Sequence, residues 1–124
     1  VASLIDQVRT AAPDVPLGAH FHNTRGVGIA NALTAMQCGV SQLDASVGGM
    51  GGCPFAPGAS GNIATEELLY ILDDAGVSTG ARPAAVLAAA YLAQELVGHP
   101  LDSNLLRAGG RSRPRRRDFT HLRE

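Results

Sequence analysis

The sequence predicts an α/β protein built on parallel strands with helices outside, on three observations. Short apolar runs alternate with stretches of helical periodicity in the order α, β, α, β. Both apolar runs lack the strict polar alternation of a half-solvated strand, which marks strands covered on two faces. The one long irregular stretch, residues 48–61, is rich in glycine and proline and follows directly on the second run.

Each element has its own signal. Leu4, Ile5 and Val8 recur at helical spacing until Pro13 and Pro16 stop the pattern, which predicts a helix over residues 2–12. Residues 15–21 then read as a strand that delivers His20 and His22 at its C-terminal end. Ile29, Leu33, Met36 and Val40 form the apolar stripe of a second helix, with Gly39 as its C-cap. Residues 42–47 read as a second buried strand, and residues 48–61 as a loop. A loop of that length inside a compact α/β unit is usually functional.

Thr65 is the expected N-cap of the next helix, with Glu66 and Glu67 in its first turn and Gly76 at its end. After Pro83, residues 84–97 form an alanine-rich outer helix. The expected domain is 1–106, followed by a basic, disordered tail over 107–124. Two or three strands cannot close a barrel, so the sheet is expected to be incomplete.

Composition narrows the function classes. Of 124 residues, 45% are hydrophobic and 17% charged, which is globular and excludes a disordered or collagen-like chain despite 15 glycines. No run reaches the roughly 18 apolar residues of a membrane span. The start, Val-Ala-Ser-Leu-Ile-Asp, has no signal-peptide character. The expectation is a cytoplasmic protein with no membrane partner. The chain opens without methionine and in mid-helix, which predicts a portion of a longer protein. Cys38 and Cys53 lack a metal-type spacing, so neither a disulfide framework nor a structural zinc site is indicated. Net charge is −6 over residues 1–106 and +5 over 107–124.

Three features carry chemistry. His20-Phe21-His22 places two imidazoles at i and i+2 of a strand, on one side, where they can hold one metal ion or simply pack and hydrogen-bond. Both stand at the end of a parallel strand, where α/β folds place their chemistry. Gly51-Gly52-Cys53-Pro54 sets a thiol at a loop tip among small neighbours that let a ligand approach. Cys38, between Met36 and Val40 on a helix, instead reads as a buried structural cysteine. Asn62 closes the loop, as a hard-metal ligand or as a turn residue.

These runs carry a resemblance. His20-Phe21-His22-Asn23-Thr24-Arg25-Gly26, then Asp44-Ala45-Ser46-Val47-Gly48-Gly49-Met50-Gly51-Gly52-Cys53-Pro54-Phe55-Ala56, then Gly58-Ala59-Ser60-Gly61-Asn62-Ile63-Ala64-Thr65-Glu66 resemble the hydroxymethylglutaryl-CoA lyases. The likeness runs over about residues 1–100. The resemblance implies the C-terminal part of a (β/α)8 TIM barrel, an incomplete barrel with parallel strands and outer helices. It also implies retro-Claisen cleavage of 3-hydroxy-3-methylglutaryl-CoA to acetoacetate and acetyl-CoA with Mg2+ or Mn2+. His20, His22 and Asn62 match that family's metal ligands, and Cys53 its catalytic thiol. The family's Arg-Asp pair on its first strand has no counterpart here, so the site is expected to be incomplete and the chain inactive alone. Asn23 stands where many members have aspartate.

Three alternatives remain: a related acyl-CoA lyase, a Claisen-condensing synthase of the same barrel family, and a non-catalytic fragment. Isopropylmalate and homocitrate synthases share the two-histidine strand but lack the cysteine loop, which disfavours a synthase. An acyl-CoA is the expected small-molecule partner, and the parent enzyme is expected to be a homo-oligomer. The arginines from Arg111 to Arg117 have the charge of a phosphate-binding run. Without interleaved aromatics they read instead as a solvated terminus, and no nucleic-acid partner is expected.

Overall fold

The computed structural model describes residues 1–53, 55, 56 and 58–110, and the arginine-rich run from Arg111 lies outside them. Helix α1 (Ala2–Ala11) leads into strand β1 (Gly18–His20), then helix α2 (Gly28–Gln37) and strand β2 (Gln42–Asp44). A 3-10 turn (Val47–Gly49) follows, and then helices α3 (Thr65–Asp74), α4 (Pro83–Val97) and α5 (Asn104–Ala108). The alternating start meets the expectation, and its product is a parallel pair. Gly18 lies opposite Gln42, Ala19 opposite Leu43 and His20 opposite Asp44.

Both strands are shorter than the apolar runs that announced them. Each pairs along one edge only, so Val15 lies exposed ahead of β1 and the ladder there is extended by a single bond from Ser41 N to Leu17 O at 3.4 Å. Nor are the strands covered on two faces. Ala19 and Leu43 turn towards α1 and α2, where they pack on Ile5, Ala35 and Val40, while His20 and Asp44 occupy the other, open face. The strict alternation of a strand thus separates packing residues from polar ones within three residues.

Helix α1 buries Ile5 alone; Leu4 and Val8, which completed the predicted stripe, are exposed because α2 meets only one side of the helix. In α2 the buried positions are Gly28, Ala32 and Ala35, with Ile29, Leu33 and Met36 half-buried beside them. Val40 lies beyond the helix, whose C-cap is Cys38 and not the expected Gly39; Gly39 follows in the left-handed region, and Val40 packs into the core as the chain turns back. The main core forms where Ala32, Leu68 and Leu72 close around Ile63, which is fully buried.

Thr65 is not the cap of α3. Ala64 takes that position, and the Thr65 N–H, free at the first turn, donates to Ser46 O at 2.9 Å. Helix α4 starts with Pro83 at its first position and ends on a left-handed Gly98. It rests on α3, the 3-10 turn and α5, where Ala90 packs with Leu101 and Leu106, while Leu92 and Leu96 face outwards. The short α5 was not foreseen. Ser103 caps it, accepting from Leu106 N at 3.4 Å. Among the described residues no helix is long and apolar enough to cross a membrane.

Candidate functional site

His20 ends β1, and His22 follows two residues later, so their rings project to one side. The ring centroids lie 5.1 Å apart in an edge-to-face arrangement at 69°. His20 Nδ1 contacts Asp44 Oδ1, its register partner on β2. That carboxylate was not singled out from the sequence. Its signal is its place at the end of the next parallel strand, which brings it level with the histidine.

Residues 60–64 bind this strand end to the rest of the molecule. They run antiparallel to the exit of β1, with His22 bridged to Asn62, and parallel to the exit of β2, with Ser46 bridged to Ala64. The ladder comprises Asn23 N to Gly61 O (2.7 Å), Ile63 N to Phe21 O (3.3 Å) and Ser46 N to Ile63 O (3.1 Å). Alternation then sends Ile63 into the core and Asn62 to the opposite side, beside His22. Asn62 Nδ2 donates to Met50 O at 2.8 Å, which fixes the amide and leaves Oδ1 as its acceptor.

Cys53 stands next to this ladder. Its neighbour Gly52 bridges Ser60, so the two arms of the loop are tied just below the thiol. Ser60 is also tied to the histidine segment: Thr24 Oγ1 donates to Ser60 O (3.1 Å) and Ser60 Oγ to Asn23 O (3.4 Å). Cys53 is a half-buried free thiol, and Phe55 beside it is 95% exposed. Cys38 is also half-buried, and it packs against the Ile5, Ala35 and Val40 cluster.

Two glycines make these approaches feasible. A Cβ at Gly61 would lie 1.7 Å from Gly51 O, so only glycine lets the loop arms meet. A Cβ at Gly28 would lie 2.4 Å from Ile63 Cγ2 and 2.9 Å from His22 O, so the start of α2 sits directly on the histidine segment. Asn23 Oδ1 accepts from Gly28 N at 3.0 Å, a bond that an aspartate could make as well. Below the loop, the Glu66 carboxylate is 1% exposed and its Oε2 accepts from Gly48 N at 3.0 Å. From the sequence Glu66 was only a first-turn acid; here it holds the backbone that leads to Cys53.

Two imidazoles and one amide oxygen are donor types that fit a divalent cation, but only as part of a coordination shell. Among the described residues no group of three or more His, Cys, Asp or Glu is placed to hold a metal ion. Imidazole nitrogens also make the set softer than an all-oxygen cage.

Comparison with known proteins identifies the family. The HMGL-like family model matches residues 1–92. The hydroxymethylglutaryl-CoA lyase YngG of Bacillus subtilis is 41% identical over 106 residues, which are 86% of this chain and 36% of that protein. The (R)-citramalyl-CoA lyase of Chloroflexus aurantiacus is 44% identical over 109 residues, 88% of this chain and 34% of that protein. Among solved structures, an HMG-CoA lyase from Acinetobacter baumannii, in complex with coenzyme A and 3-methylmalate, superposes with a TM-score of 0.80 at 38% identity. It covers 94% of this chain and 38% of its own. Hydroxymethylglutaryl-CoA lyase from Pseudomonas aeruginosa gives a TM-score of 0.81 at 36% identity, over 86% of this chain and 36% of its own. The chain therefore spans about a third of the length of the relatives it matches. Its unclosed parallel pair with outer helices is a portion of the lyases' barrel fold, as expected.

Proposed function

The chain belongs to the HMGL-like family, and from that premise we propose that it supplies part of the active site of a metal-dependent lyase cleaving 3-hydroxy-3-methylglutaryl-CoA. The observation that carries this reading is one ladder holding three chemistries together: His22 bridged to Asn62, and Gly52, next to Cys53, bridged to Ser60. Residues 1–106 form the lyase portion in this reading, and 107–124 an appended basic segment.

His20, His22 and Asn62 are the residues proposed to hold the metal, Mg2+ or Mn2+. When bound, such an ion would polarise the substrate oxygens and favour loss of the 3-hydroxyl proton to solvent. The chain's own contribution then lies at the other end of the bond. As the C2–C3 bond breaks, C3 becomes the ketone of acetoacetate and the electron pair passes to the acetyl-CoA carbon. Cys53 Sγ–H donates the proton that this carbon takes up, and the thiolate is reprotonated from solvent. The Gly52–Ser60 bridge ties the loop arms beside this thiol, which supports its role as the proton donor.

The Arg-Asp pair of the resembled family has no equivalent among these residues, so the three donors and the thiol are proposed as an incomplete site. A cytoplasmic location and a homo-oligomeric whole protein go with this reading. They are tested by fractionation and by sedimentation.

The citramalyl-CoA lyase relative supports a second reading, in which the acyl group is a 2-hydroxy acid. The test is to substitute this chain for the matching third of the Bacillus subtilis lyase and offer both thioesters with Mg2+. Acetoacetate release that is lost on Cys53→Ala supports the first reading. Release of a 2-oxo acid instead selects the second. An inactive but folded chimera refutes both.

A further inference from the structure

We infer that Asp44 is a positioning residue for His20, one that places the imidazole proton on Nδ1 and so turns the Nε2 lone pair outwards as the ligating atom. Three observations converge on it. The parallel register sets Asp44 level with His20, and residues level in a parallel pair share a sheet face. On that face Asp44 Oδ1 contacts His20 Nδ1. The ring of His22 stands edge-to-face against that of His20 at 5.1 Å, which restricts the rotation that would exchange the two nitrogens.

The chemistry follows from the two nitrogens being distinct. An ionised carboxylate only accepts, so the nitrogen facing it must carry the hydrogen. Free neutral histidine favours the opposite tautomer, with hydrogen on Nε2, and that form offers Nε2 no lone pair for a cation. The carboxylate reverses this preference and makes the ring a stronger donor. The side chains are 49% and 73% exposed, so the pair adds little to folding stability, and its effect lies in orientation and tautomer.

The inference rests on the metal reading only in naming Nε2 as the ligating atom, and its test separates the two. In a 15N-labelled chain at mildly alkaline pH, the ring shifts of His20 report the tautomer without any metal. Mn2+ titration followed by electron paramagnetic resonance reports affinity. Asp44→Ala is expected to return His20 to the Nε2–H form and to weaken Mn2+ binding about 10–100-fold. Asp44→Asn keeps an oxygen acceptor in place, so it is expected to retain the Nδ1–H form and recover part of the affinity.

An unchanged tautomer in Asp44→Ala overturns the inference whatever the metal does. Weaker Mn2+ binding with an unchanged tautomer would make Asp44 a direct ligand and overturns it too. A lost tautomer with no Mn2+ bound by any variant supports the positioning role and counts against the metal reading instead. Circular dichroism of Asp44→Ala verifies that the fold is kept.

Discussion

Replacing Gly61 by alanine puts the loop architecture under direct strain. The new Cβ would lie 1.7 Å from Gly51 O and 2.6 Å from its carbonyl carbon. Ordinary contact requires one backbone to retreat by roughly 1.5 Å. Neither can do so cheaply. Gly61 O accepts from Asn23 N at 2.7 Å, and the neighbouring Ser60 is bridged to Gly52. Such overpacking costs about 1–3 kcal/mol, which lowers Tm by roughly 4 °C per kcal/mol in a domain of this size. The displaced loop should also change the environment of Cys53. The assay pairs thermal unfolding with alkylation of Cys53 by iodoacetamide in a Cys38→Ser background. A Tm and an alkylation rate both equal to those of the parent would refute the claim that this close approach shapes the loop.

Other predictions follow from the same contacts. Ile63→Ala empties the centre of the main core and should cost about 2–5 kcal/mol in urea unfolding; Leu96→Ala, on the outer face of α4, should shift the midpoint little. Glu66→Ala strips the Gly48 N–H of its acceptor and should cost about 1–3 kcal/mol, an effect that vanishes if water replaces the carboxylate without penalty. Cys53 should be alkylated severalfold faster than Cys38, as read by peptide mass spectrometry, because only Cys38 packs into a core cluster; equal rates would contradict that difference in packing.

The legible part of the molecule was what a short window of sequence encodes. Ile29, Leu33 and Met36 read as an apolar helix stripe, and Gly76 as a helix end, because helical period and left-handed glycine are local rules. The positions of His20 and His22 at a strand end were equally local. Long-range partnerships were hidden. Glu66 looked like any first-turn acid until the backbone of Gly48 came to meet it, and Thr65 looked like a cap until Ser46 O claimed its N–H. Asp44 acquired a role only through the register of β1 on β2, which no periodicity announces. Leu4 and Val8 had the right spacing, but α2 meets one side of α1, so spacing overstated their burial.

The double pairing of residues 60–64 makes this stretch intolerant of small insertions and deletions. Adding or removing one residue between the His22 and Ser46 bridges would exchange the directions of its neighbours. The amide of Asn62 would then enter the apolar interior, and the branched side chain of Ile63 would stand among the histidines. In the stretch beyond the Gly52–Ser60 bridge, by contrast, residues can be gained or lost without altering this alternation.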